Sequence, residues 1–238
     1  MNSLLSIISF IAVLLVALPG PLYKYNIVEL GTAFAALRYG VYVGIAALVL
    51  LLIQVIFLRK SIRWVAAGIS AVFAIIAVGL PLSLLSKAKS VPPIHDISTD
   101  LVNPPEFVAI AALRANAPNK VEYAGEETAQ QQRKSYPDLA TQSYAKSSDV
   151  LFNTAQNAVQ ELDWELVNAD KSQGIIEATD TTYWFGFKDD VVIRVRAVGD
   201  ASVMDIRSKS RVGKSDLGKN AERIYALIKH INTALATN

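Results

Sequence analysis

Four arginines, Arg194, Arg196, Arg207 and Arg211, stand close together in the C-terminal third of the chain. Between Arg194 and Arg223 eight basic residues face four acidic ones. A guanidinium is a planar fork that grips a carboxylate or phosphate at two points, so this run could clamp an anion, with backbone donors near Gly213 and the start of a following helix adding to it. The reading favoured is that the same arginines are neutralised within the chain by Asp96, Asp100 or Asp138, and both can hold at different positions. A second constellation is His95 beside Asp96, the pairing in which a carboxylate orients a general base. Such a base needs a nucleophile, and Ser98, Thr99, Ser208 and Ser210 are the hydroxyls on offer. No GxSxG elbow is present, and His95 also reads as a structural hydrogen-bonding group. His230 is the only other histidine and there is no cysteine. No HxxH or HExxH spacing exists, so neither a metal nor a cofactor is expected.

The elements that must position these groups follow from periodicity. Val191, Ile193, Val195 and Ala197 alternate with Val192, Arg194, Arg196 and Val198. After Gly199 and Asp200, Met204 and Ile206 alternate with Asp205, Arg207 and Lys209. This is a hairpin with one apolar face. The register expected sets Val198 opposite Val203, Arg196 opposite Asp205 and Arg194 opposite Arg207. The last is a like-charge pair that asks for an anionic group above it.

Around the hairpin, a helix is expected from Ser148 or Asp149 with Leu151, Ala155, Ala158, Val159 and Leu162 as its apolar stripe. Strands are expected at Trp164 to Val167 and Ile175 to Thr179. A closing helix, capped by Ser215 or Asp216, carries Leu217, Ala221, Ile224, Ile228, Ile231 and Leu235. VPPIHDISTDLVNPPEF should be extended and lie across the domain, Phe107 to Leu113 reads as a strand or a helical turn, and Asn116 to Asp138 is polar. Tyr183, Trp184, Phe185 and Phe187 could pack in a core or line an apolar pocket, with Trp184 on the opposite side of a strand from its neighbours. The sum is a two-layer α+β domain, an antiparallel sheet with flanking helices.

The front of the chain is different. The composition is 52% hydrophobic and 18% charged, too apolar for an ordinary globular chain. Up to Ser90 the only acid is Glu29 against seven basic residues, so the net +2 divides into +6 for residues 1–90 and −4 for residues 91–238. Leu4–Leu18, Tyr39–Leu58 and Ile62–Leu85 read as three transmembrane α-helices preceding the soluble domain, with Tyr39, Tyr42 and Trp64 at interfacial positions. The short link bearing Arg59, Lys60 and Arg63 belongs on the cytoplasmic side. That places the C-terminal domain outside the cytoplasm, although Lys24, Arg38, Lys87 and Lys89 then lie outside as well. Gln54 is the one strongly polar side chain within the spans, which therefore read as an anchor rather than a pathway. An acidic, external domain without an interleaved basic and aromatic motif excludes nucleic acid as a partner.

IHDISTD with the following NPP, YPD at Tyr136 to Asp138, WFGFKDDVVIRVR, and DIRSKSRVGKSDLGKNAERI together resemble a bacterial and plastid family catalogued as domain of unknown function 1499. The resemblance spans Val91 to about Ile231. It implies a membrane-attached or exported protein, which with the three spans means a bacterial inner membrane protein whose C-terminal domain is expected in the periplasm, and it brings no activity, substrate or catalytic residue. The function expected is a cell-envelope binding or assembly module without catalysis, with Arg194, Arg196, Arg207, Arg211, His95, Asp96 and Asp100 around an anionic ligand or an envelope protein partner. The alternative is an envelope hydrolase using His95, Asp96 and a nearby serine.

Overall fold

The computed structural model describes residues 2–237 and divides the chain into two compact units, Met1–Lys89 with Tyr183–Gly186, and Ser90–Thr182 with Phe187–Asn238.

In the first unit, α1 (Asn2–Ala17) is followed directly by the short α2 (Pro19–Lys24), then by α3 (Leu30–Phe57), a turn of 3-10 helix at Arg59–Ser61, and α4 (Trp64–Ser90). Asn2–Lys24, Leu30–Phe57 and Trp64–Ser90, at 23, 28 and 27 residues, are each long and apolar enough to cross a membrane. The second helix begins nine residues before its expected start, because Leu30 to Arg38 continues the apolar helical pattern upstream of Tyr39. Small residues set the packing. A β-carbon at Gly40 would lie 2.7 Å from a Val16 methyl on α1, and one at Gly44 would lie 2.9 Å from Val78 on α4. Close backbone approach of this kind is how apolar helices associate where water supplies no driving force. Gln54 is buried and donates to Asn2 Oδ1, while Asn2 Nδ2 donates to Ser61 O at 2.9 Å.

The second unit is built on an antiparallel sheet of order β1-β6-β5-β4-β3, with β2 also pairing β6. In chain order it runs β1 (Asp96–Ser98), α5 (Ala109–Leu113), α6 (Glu126–Ser135), β2 (Gln142–Tyr144), α7 (Ser148–Glu161), β3 (Glu165–Asp170), β4 (Ile175–Thr181), β5 (Lys188–Val198), β6 (Ala201–Ser210) and α8 (Lys219–Ala236). Helices α7 and α8 lie on one face. Leu151, Ala155, Val159, Ile224, Leu227 and Ile231 pack there against Ile176, Val191, Ile193, Met204 and Ile206. The Ser147 hydroxyl, one residue before the expected cap, accepts from Val150 N at the start of α7. At the start of α8, Asp216 accepts from Gly218 N (2.8 Å) and Asn220 N (2.7 Å), while Leu217 stands outside the helix with φ of 58°.

The central hairpin forms in a register two residues away from the expected one. Val198 pairs with Ala201, Arg194 with Asp205, Arg196 with Val203 and Val192 with Arg207. The turn is just Gly199 and Asp200, with Gly199 at φ 59°. A two-residue hairpin loop favours a glycine with positive φ at its first central position, so Ala201 and Ser202 belong to the strand. A shift of two keeps every side chain on its own face, and the arginines still share one side. The aromatic run does not form a strand. Tyr183, Trp184 and Phe185 occupy a turn, in which Tyr183 is 92% exposed and Phe185 is buried.

Candidate functional site

The sheet face opposite α7 and α8 carries the charges, and most of it is covered. Alternation places Glu177 and Thr179 of β4, Asp190, Val192, Arg194 and Arg196 of β5, Asp205, Arg207 and Lys209 of β6, and Asp96 of β1 on this side. Residues 99–124 lie over much of it as a strap. Phe107 and Ile110 of the strap pack with Ile175 and Val192 into a small apolar core of their own.

Three carboxylates each hold two cations. Asp96 takes Arg207 at two points, 2.9 Å from Nε and 3.0 Å from Nη2, and Lys209 Nζ at 2.9 Å. Asp190 takes Arg211 at two points, both 2.8 Å, and Arg114 Nη1 at 3.2 Å. Asp205 takes Arg194 at 2.9 Å, Arg196 at 2.7 Å and the Thr141 hydroxyl at 2.6 Å. Asp100 adds a second carboxylate to Arg194 at 3.0 Å.

The donors left over on these cations reach main-chain oxygens, most of them on the strap. Arg207 donates to Pro105 O and Val121 O, Lys209 to Glu122 O, Arg114 to Asn119 O, Arg211 to Leu113 O and Arg194 to Asn103 O. An irregular segment has carbonyls that no ladder satisfies, and a guanidinium with five donors can bridge a carboxylate and several of them at once. Phe107 fills the space between two guanidiniums, with the Arg114 and Arg207 carbons 5.3 and 5.0 Å from its ring centroid. Among the described residues Glu177 is held without a cation. It accepts from the Val108, Ala109 and Ile110 amides at 2.8, 2.8 and 3.2 Å, the unpaired donors at the start of α5, and from Asn168.

Burial acts on the titration of these groups. It pushes Lys209 and Arg114 below their ordinary values against the pull of Asp96 and Asp190, and with Asp96 nearby it pushes the Tyr123 phenol up to about 12. Burial alone would raise Asp205, but the hydrogen bonds from Thr141, Arg194 and Arg196 outweigh it and hold the carboxyl below its ordinary value.

The structure therefore brings together Arg194, Arg207, Arg196, Arg211, Asp96 and Asp100, with the chain's own carboxylates and carbonyls as the negative atoms. Asp138 is exposed and stands outside the set. The backbone donors at the start of the last helix are also engaged by a carboxylate, that of Asp216.

His95 and Asp96 do not form a dyad. His95 Nδ1 lies 3.4 Å from Lys214 O, whereas Asp96 is fully buried against Arg207 and Lys209. Burial is the largest influence on the imidazole and lowers its pKa. The hydroxyls are buried and bonded elsewhere: Ser98 donates to Asp100 O, Ser208 to Asn220 Oδ1, Thr99 accepts from Ile206 N and Ser210 from Asn220 Nδ2.

Residues absent from the sequence-based set complete the network. Glu177 and Asp190 sit under the strap, and Arg114 reaches down from it to Asp190. On the α8 side Arg223 binds Asp180 and Asp189, each at 2.7 Å from Nη2. The two adjacent acids of KDDVVIRV were a usable signal, since acids inside an apolar strand need cationic partners on both faces of the sheet.

A family model described as protein of unknown function (DUF1499) matches residues 96–231. No curated protein matches the chain.

Proposed function

Since the chain belongs to the DUF1499 family of proteins of unknown function, its role has to come from its own residues, and we propose that it is a membrane-anchored binding or assembly module of the cell envelope that performs no catalysis. The observation that carries this reading is the state of the polar groups a hydrolase would draw on. The carboxylate beside His95 is neutralised by Arg207 and Lys209, and the neighbouring hydroxyls are buried in structural hydrogen bonds. Catalytic groups need reach to a substrate and a matched proton affinity. The charges of the arginine face are met within the domain, and the partner surface proposed is the strap, where Val102, Val108 and Leu113 are exposed.

The membrane proposed is the bacterial inner membrane, crossed by the three apolar helices with the C-terminal domain outside. Arg59, Lys60 and Arg63 in the tight link between α3 and α4 support that orientation.

Photo-crosslinking groups at positions 102, 108 and 113 of the full chain, activated in intact membranes, test the module. A discrete adduct with one envelope protein is the expected result. Hydrolytic turnover by the purified full chain that is lost in both His95→Ala and Ser98→Ala would overturn the reading. A phosphatase fused after Asn238 should be active only outside the cytoplasm.

A further inference from the structure

The first apolar helix is interrupted by Pro19 and Pro21. A proline has no amide hydrogen, so Pro21 cannot donate to Ala17 O four residues back. An unsatisfied carbonyl is expensive in an apolar setting. This one is met by the indole of Trp184, whose Nε1 donates to Ala17 O at 3.1 Å. The indole sits on Gly20, where a β-carbon would come within 2.6–2.8 Å of three of its atoms. Phe185 is buried beside it, with ring centroids 5.1 Å from Trp184, 5.7 Å from Phe34 and 6.1 Å from Tyr23. Lys24 closes the group, donating to Tyr183 O at 3.0 Å with its Nζ 5.3 Å from the Tyr183 ring centroid. Tyr183 itself is 92% exposed.

Tyrosine, tryptophan and lysine at the end of an apolar helix are the residues that settle in the headgroup layer, since each has an apolar body and a polar tip. We propose that Tyr183–Gly186 is a second membrane contact of this chain, with Trp184 and Phe185 seated at the proline break and Tyr183 presented to lipid headgroups. It rests on the reading that the three apolar helices cross a bilayer. The break explains the composition of the turn: the helix leaves an acceptor there, and an aromatic turn supplies the donor and covers the gap.

The chain has no cysteine, so single nitroxide labels can be placed in the full chain reconstituted into phosphatidylcholine vesicles. Tyr183→Cys reports the turn, Val49→Cys in the middle of α3 reports the bilayer interior, and Asp200→Cys at the exposed hairpin turn reports water. Collision with oxygen, which concentrates in lipid, is compared with collision with a water-soluble nickel chelate. The label at 183 should fall between the other two, with oxygen favoured relative to 200. If 183 matches 200 while 49 is lipid-like, the turn is not a membrane contact and the spans stand. If 49 also matches 200, both readings fall. In a Gly20→Ala background the added methyl strikes the indole, and the label at 183 should shift toward the value at 200. No shift would overturn the seating of Trp184.

Discussion

Asp96 and Arg207 meet at two points, Oδ1 to Nε at 2.9 Å and Oδ2 to Nη2 at 3.0 Å, and neither side chain is more than 2% exposed. Lys209 shares the same carboxylate. A buried pair of this kind adds little over a well-packed apolar replacement, but losing one member strands a charge.

Asp96→Asn should therefore destabilise the folded domain by about 3–5 kcal/mol, the usual cost of leaving a buried cation without its partner. Denaturant unfolding followed by tryptophan fluorescence of the full chain in detergent measures it. A loss under about 1 kcal/mol, the range of exposed pairs, would show that the pair is hydrated in solution.

Asp205 separates two kinds of arginine. Arg196 is half exposed, at 51% of its side chain, while Arg194 is 21% exposed and Asp205 is fully buried. Arg196→Ala should cost no more than about 1 kcal/mol, because Arg194 and Thr141 still hold the carboxylate. Asp205→Asn should cost several times that. Equal losses in the two variants would contradict the arrangement.

The same carboxylate sets an acid limit. Its folded pKa lies below the ordinary value of 3.8, so the unfolded chain binds a proton first as pH falls. The stabilisation is complete above the unfolded value and is lost as pH drops through the folded one. Melting temperatures of wild type and Asp205→Asn, recorded from pH 6 downward, should differ most at the upper end and converge in acid. Parallel curves would exclude the linkage.

Glu177→Ala should free the strap locally, since three amides at the start of α5 lose their common acceptor. Each buried donor left unpaired costs about 1–3 kcal/mol. Hydrogen exchange at residues 108–113 should accelerate well beyond that in β5. Unchanged protection there would place the anchoring of the strap elsewhere.

Much of this fold is legible in its residues, and the reason differs from element to element. The two-residue alternation of β5 and β6 identifies the face of every arginine. The pairing was harder, because Ala201 and Ser202 suit a turn as well as a strand and local pattern cannot choose between a two-residue and a four-residue loop. Helix α6 is hidden because its sequence, EETAQQQRKS, has almost no apolar stripe; it is fixed by Ala129 and by Gln132, which exchanges hydrogen bonds with the Ser98 backbone. Partner choice within the charge network is likewise non-local. Nothing near Arg207 in the chain announces Asp96, which comes from a strand that only the sheet brings alongside.

The strap is gripped chiefly by its peptide oxygens, from Asn103 O to Glu122 O, and every residue type has one. Evolution can thus rewrite many of its outward side chains, and engineers can display new loops there, at small risk to the scaffold. The arginines beneath enjoy no such latitude, because no other side chain offers a forked cation of that reach.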